Sequence, residues 1–231
     1  SARLTVRNVK NAINKYFKTI CKEKMSPEEE DLIFLRRVSA RILQEVELDS
    51  YGCQLPKSDK RRQDMERPLY AFVHGPPGTG KSRLIYWMTR LLKSLGWAHG
   101  KQSLCVAFQN KVALAMHGTT LHSGGQIAIK GVHRTLEHQN VNELYTQNQE
   151  LRFLIIDEVG MIPDELLGEF QDNMGGASMN TRYSKTHDNI RRPFGGYNVC
   201  VFFGYVPNTS YTFECCVVYT SSRQKHKKVK P

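Results

Sequence analysis

The eight residues Gly75, Pro76, Pro77, Gly78, Thr79, Gly80, Lys81 and Ser82 have the spacing of a phosphate-binding loop, with glycine at the first and sixth positions and lysine and a hydroxyl closing it. Backbone N–H groups of such a turn, and of the helix it opens, form a positively polarised nest for an anion. Lys81 would neutralise the β- and γ-phosphates of a nucleotide, and the Ser82 hydroxyl would complete the shell of a magnesium ion. The apolar run Tyr70 to His74 stands directly before the loop and a helical pattern follows it, which is the context this chemistry requires.

A hard cation needs a carboxylate at the end of a neighbouring strand. The run Leu154, Ile155, Ile156, Asp157, Glu158 supplies one after residues apolar enough to be buried in a parallel sheet. Asp157 would hold magnesium through its water shell and Glu158 would polarise an attacking water. Lys81, Asp157 and Glu158 are therefore the candidate catalytic set, with Ser82 and Asp157 as metal ligands.

A third patch runs from Asn110 to Ser123. Val112, Leu114, Ala115 and Met116 can form one helix packed on the sheet, with Gly118 as its left-handed stop and Thr119, Thr120, His122 and Ser123 solvating a loop. The alternative is that these hydroxyls and the imidazole donate to a nucleic-acid backbone. His133 and His138 have no cysteine or second histidine pair placed to complete a metal site, and the pair Cys215 and Cys216 is expected to pack in a strand.

The elements that must position these groups are legible as periodicities. Apolar residues recur at three and four in Val9, Ile13, Phe17 and Ile20, then in Leu32, Phe34, Leu35, Val38, Ile42 and Val46, so Val6 to Glu47 is expected to be helical. Ser26 is the expected N-cap of the second helix and Pro27 its first residue, with Glu28 to Asp31 at the positive end of the dipole. From Asp49 to Arg67 periodicity gives way to Gly52, Pro56 and a charged run, the composition of an exposed linker. Strands are expected at Leu69 to His74, Ser103 to Phe108, Arg152 to Asp157 and Asn198 to Gly204. Helices are expected at Lys81 to Leu95, Asn110 to Met116 and Pro163 to Phe170. This alternation predicts an α/β fold, a mostly parallel sheet flanked by helices. Gly175 to Arg192 is expected as a mobile loop and the residues after Thr220 as a disordered basic end. The expected organisation is an N-terminal helical extension over residues 1–48, a basic linker over 49–67, the nucleotide-binding domain over 68–213 and a basic tail over 214–231.

The 231 residues suffice for one α/β domain with an extension, and 40% hydrophobic with 24% charged residues excludes a disordered or fibrous chain. A net charge of +11 favours a polyanionic partner, with a basic surface kept for solubility as the plainer alternative. The cysteines Cys21, Cys53, Cys105, Cys200, Cys215 and Cys216 have no C-x-x-C spacing and are expected as reduced thiols in an intracellular protein. No apolar run approaches the roughly 18 residues that span a bilayer, so no membrane partner is expected. The chain does not begin with methionine, which suits a processed product or a fragment.

Taken together, the blocks Phe72 to Ser82, Gly118 to Ser123, Leu154 to Met161 and Pro193 to Gly204 resemble those of the PIF-type superfamily-1 DNA helicases, including the helicase modules of Helitron transposons. The resemblance covers Pro68 to Asn208 and implies a RecA-like P-loop NTPase domain, the first of the two in such a motor. It further implies ATP with Mg2+ as cofactors, single-stranded DNA touched by Thr120, His122 and Ser123, a nuclear location, and work in DNA repair, recombination and telomere maintenance. Two positions depart from the family pattern. Where the family has Gly-Asp-x-x-Gln, with the glutamine on the γ-phosphate, this chain has Gly204, Tyr205, Val206, Pro207 and Asn208; Asn208 keeps an amide one methylene shorter. The glutamine that reads adenine has no clear counterpart near Ser26 to Asp31. A second RecA-like domain, with the arginines that stabilise transition-state charge, is expected from a partner chain or not at all. Without it hydrolysis would be slow and unwinding absent. The competing expectations are a degenerate ATP-binding or single-strand-binding remnant, and an AAA-type ATPase, for which the same loop is equally typical.

Overall fold

Strand sequences such as Leu154 to Ile156 carry branched side chains at every position, so both faces of the sheet must be covered. In the computed structural model, which describes residues 4–127, 138–178, 190–204 and 216–220, they are. The elements are α1 (Val6–Ile20), α2 (Glu29–Ser50), α3 (Lys60–Glu66), β1 (Tyr70–His74), α4 (Lys81–Ser94), β2 (Ser103–Ala107), α5 (Asn110–Ala115), β3 (Thr119–Thr120), α6 (Leu121–Gly124), α7 (His138–Asn148), β4 (Phe153–Asp157), α8 (Asp164–Ala177), β5 (Asn198–Phe203) and β6 (Cys216–Thr220). The strands form one parallel sheet in the order β3-β2-β4-β5-β1-β6. Alternation along the strands makes two cores. Ala71, Val73, Cys105, Phe153, Ile155, Cys200 and Phe202 face α1, α2 and α4. Phe72, Leu104, Val106, Leu154, Ile156, Val199 and Val201 face α6, α7 and α8. The chain thus has the fold of a P-loop NTPase, as the alternation of apolar runs and helical patterns predicts.

Several expectations are corrected. The cap of α2 is Glu28 rather than Ser26, and Pro27 lies before the helix. Glu28 and Asp31 form a capping box, in which the Glu28 N–H donates to Asp31 Oδ2 at 3.1 Å, satisfying orphan backbone groups reciprocally where a serine would satisfy one. The N-terminal helices are not an appendage: Val9, Ile13, Ile20, Phe34, Val38 and Ile42 share one core with β1, α4 and β5. The stretch expected as an exposed linker holds a 3-10 turn (Gly52–Gln54) and α3, with Met65 buried against Leu48. α8 continues through Gly175 and Gly176 to Ala177, beyond the expected end at Phe170. β6 pairs with β1, so the sheet extends past residue 213 into the expected basic tail.

A buried polar knot fastens α2 to the N-terminal edge of the sheet. Arg41 Nε donates to Asn198 Oδ1 at 2.7 Å, Nη1 to the Met65 carbonyl at 2.8 Å and Nη2 to Glu45 Oε1 at 2.6 Å. Asn198 Nδ2 donates to Glu45 Oε1 at 3.0 Å and to the Arg152 carbonyl at 2.8 Å, while its Oδ1 accepts from the Leu69 N–H at 2.8 Å. The starts of β1, β4 and β5 are thereby tied to α2 and α3, leaving the opposite, C-terminal edge of the sheet for chemistry.

Candidate nucleotide site

At that C-terminal edge β1 runs into the glycine-rich loop. Gly78 and Gly80 take φ of 82° and 94°, conformations that side-chain-bearing residues avoid, and Gly80 is the N-cap of α4. The turn is closed from within: the Thr79 hydroxyl donates to the Pro76 carbonyl at 2.9 Å, and Lys81 Nζ donates to the carbonyls of Gly75 and Pro76 at 2.7 and 3.0 Å. Thr79 is buried, whereas Pro76, Pro77, Gly78 and Ser82 are exposed, so the outer rim of the loop and the first hydroxyl of α4 face solvent.

Asp157, the last residue of β4, is buried, and burial pushes its carboxyl up to about 6, with the Lys81 ammonium acting in the opposite sense. Burial lowers the Lys81 ammonium in turn, opposed by the charges of Asp157 and Glu158. The two groups are thus within electrostatic reach of each other across the edge of the sheet. Glu158 is exposed and stands in the left-handed region at φ 53° and ψ 41°, which turns it away from the line of β4. β5 lies between β1 and β4, and Phe203 at its end stacks on His74 with ring centroids 5.8 Å apart.

These residues fit a magnesium nucleotide. A Cβ built on Gly78 meets nothing within 4 Å, so the loop has open space on its outer side. The exposed Ser82 hydroxyl and the buried Asp157 carboxylate are hard oxygen donors of the kind that Mg2+ takes together with phosphate oxygens and water. Among the described residues there is no group of three or more His, Cys, Asp and Glu that could hold a metal by itself. Asn208 and His133 lie outside the described residues, as does the side chain of His138.

The Thr120 to Ser123 segment meets the same edge one strand beyond β2. Thr120 is the N-cap of α6, its hydroxyl accepting from the Ser123 N–H at 3.2 Å, and Ser123 is exposed. His122 is half-buried with its ring 6.2 Å from that of Phe108. Gly118 is not a left-handed stop; His117 takes that conformation at φ 54°, and a Cβ on Gly118 would come within 2.5 Å of the Cys105 carbonyl. Close approach of β3 to β2 is what requires glycine there. Leu114, expected against the sheet, is 65% exposed.

Sequence reasoning missed the residues that hold these groups from behind. Asn173 on α8 donates to the Gly125 carbonyl at 2.9 Å, and Glu23 accepts from Arg90 at 2.7 Å, fastening the α1–α2 turn to α4. Neither carries a local signal, since each partner is remote in sequence.

A family model described as an AAA domain matches residues 62–178, from α3 through α8, and so contains the loop, the Thr120 to Ser123 segment and Asp157. The chain belongs to the AAA domain family. Among solved structures this AAA domain is similar to the Pif1 helicase from Candida albicans, at 19% identity and a TM-score of 0.54 over 85% of this chain and 40% of that one. It is also similar to the Pif1 helicase from Bacteroides in complex with ADP-AlF3 and ssDNA, at 22% identity and a TM-score of 0.43 over 63% of this chain and 31% of that one. Unliganded Pif1 from Bacteroides sp matches at 19% identity and a TM-score of 0.47, over 81% and 34% of the two chains. At these identities the likeness is one of fold. The AAA domain chain spans well under half the length of each of the three. No curated protein matches it significantly.

Proposed function

We propose that this chain is the nucleotide-binding half of an ATP-dependent DNA helicase motor, hydrolysing ATP with Mg2+ in response to single-stranded DNA. The observation that carries this is the placement of Lys81, in the loop that follows β1, and of Asp157, at the end of β4, on one C-terminal edge of the sheet, with the β3 residue Thr120 beside the end of β2 on that edge. The fold shared with the Candida albicans Pif1 helicase and the motif resemblance in the sequence support a helicase over other P-loop ATPases.

In this reading the loop N–H groups and Lys81 bind and orient the polyphosphate, and Ser82 and Asp157 hold the magnesium ion that offsets its charge. Glu158 accepts the proton of a water that attacks the γ-phosphorus in line with the departing β-phosphate oxygen. Its left-handed backbone sets it outside the buried edge, where such a water has room. Thr120, His122 and Ser123 contact the sugar–phosphate backbone of a single strand. Arginines from a second RecA-like domain, on another segment or another chain, complete the charge stabilisation, and translocation requires them.

ATP turnover with and without single-stranded DNA tests the proposal, alongside the Lys81→Ala variant. Turnover or nucleotide affinity is expected to be lost in Lys81→Ala with the fold intact, and single strand is expected to stimulate the parent. A parent chain whose ATP turnover single-stranded DNA does not stimulate would overturn the proposal.

A further inference from the structure

The solvent side of α1 is a cationic ridge. Within Val6–Ile20 there is no acidic residue, and Arg7, Lys10, Lys15 and Lys18 are all exposed, with Lys22 just beyond the helix end. At 3.6 residues per turn the five cations fall within an arc of about 140° and along about 22 Å of helix. Asn8, Asn11 and Asn14 are exposed among them and add neutral donors. None of the five cations forms an ion pair among the described residues. The nearest acid in sequence, Glu23, is turned toward α4, where it meets Arg90 at 2.7 Å and Arg83 at 3.9 Å.

We propose that the exposed face of α1 binds the phosphate backbone of double-stranded DNA, independently of sequence and of nucleotide. Charge complementarity selects a polyanion, and three features select the duplex. The apolar side of α1, with Val9, Ile13, Tyr16 and Ile20, is buried in the core, so the helix has nothing to insert into a lipid surface. Its exposed arc offers no aromatic ring on which unpaired bases could stack: Tyr16 is buried and Phe17 packs against the core. A broad face of cations and amides on one rigid helix suits the regular phosphates of a duplex, which such groups contact without reading bases. The ridge lies on the α4 side of the sheet, whereas Leu121 of the Thr120 to Ser123 segment packs on the other side. Duplex and single strand would therefore occupy different faces of the domain.

The test is fluorescence anisotropy of a short blunt duplex of mixed sequence with the whole chain, without nucleotide, across a series of salt concentrations. Lys10→Gln/Lys15→Gln/Lys18→Gln is expected to weaken binding by about two to three orders of magnitude near 0.1 M salt and to flatten the log–log salt slope by about 3, close to one for each phosphate no longer neutralised. The corresponding triple arginine variant is expected to bind like the parent, since charge rather than lysine shape is used. Lys10→Gln alone, a minimal change to an exposed site, is expected to lower the slope by about 1. Unchanged affinity and slope in the glutamine variants, an equal loss in the arginine variant, or binding of phosphatidylserine vesicles in place of duplex would each overturn the inference. It does not rest on the ATPase proposal: a chain inert toward ATP can still bind duplex through α1, and an active one can fail to.

Discussion

The backbone N–H of Glu158 donates to Asp157 Oδ1 at 2.9 Å, and Glu158 makes this bond from a left-handed backbone at φ 53°. The two adjacent carboxylates thus stand in different surroundings, Asp157 buried at the sheet edge and Glu158 outside it. A left-handed non-glycine residue costs roughly 1–2 kcal/mol, so Glu158→Gly is expected to raise unfolding stability by about 1 kcal/mol while abolishing turnover. Glu158→Gln keeps the shape and is expected to bind nucleotide without hydrolysing it. Normal turnover in Glu158→Gln would reject the residue as the water-polarising group.

Asp157 also makes stability depend on pH. Burial pushes its carboxyl from 3.8 up to about 6, so between those values the folded chain holds a proton that the unfolded chain has released. Stability therefore falls as pH rises from about 4 to about 6 and is level above that. Asp157→Asn removes the burden of the ionised form and is expected to exceed the parent by on the order of 1–3 kcal/mol at pH 7, with no gain below about pH 4. Urea denaturation at several pH values measures it, and a gain that does not change with pH would contradict the assignment. Magnesium competes with the proton for the same oxygen, so Mg2+-dependent nucleotide affinity is expected to rise with pH through 6.

How much of this is legible in the sequence depends on whether the cause is local. The loop from Gly75 to Ser82, and the strand ending at Asp157, announce themselves because phosphate and metal chemistry constrain neighbouring residues. The strands Tyr70–His74, Ser103–Ala107, Phe153–Asp157 and Asn198–Phe203 each fall within a residue or so of expectation, since full burial demands continuous apolar runs. The status of α1 and α2 is not legible: an amphipathic helix declares that it covers something, not what. Likewise the charged residues of α3 hide a backbone carbonyl, that of Met65, which Arg41 needs from a distance of 24 residues. Gly118 reads as a helix stop because the carbonyl that excludes its side chain, Cys105, belongs to another strand.

The Arg41 knot yields a prediction about that hidden dependence. Arg41 and Glu45 are 4% and 2% exposed, so Arg41→Met takes from the buried Glu45 carboxylate the nearer of its two cations, with Arg152 at 3.4 Å remaining, and one of the donors to Asn198 Oδ1. Breaking a buried pair from one side costs about 3–5 kcal/mol, a large share of the stability of a domain. Arg41→Met/Glu45→Met is expected to recover part of the loss, because two apolar side chains leave no unpaired charge. Trp87 fluorescence during urea unfolding reads both variants. A single variant within 1 kcal/mol of the parent would mean that the knot does not hold α2 to the sheet, since about 1 kcal/mol is what one ordinary hydrogen bond contributes.

Asn173 offers the means to separate the two ligands of the proposed motor. Its Nδ2 donates to the Gly125 carbonyl at the end of α6, where the neighbouring Phe170 ring leaves no room for a side chain on Gly125. α8 therefore sets the position of the helix that Thr120 caps, yet it touches neither Lys81 nor Asp157 by any hydrogen bond among the described residues. Asn173→Leu leaves the Gly125 carbonyl unpaired, which costs about 1–3 kcal/mol, and the expected relief is a shift of α6 rather than of the phosphate loop. Single-strand affinity is then expected to fall about fivefold or more, the equivalent of about 1 kcal/mol, with nucleotide affinity unchanged. Equal losses for both ligands would make Asn173 a support of the fold as a whole and not of the Thr120 to Ser123 segment.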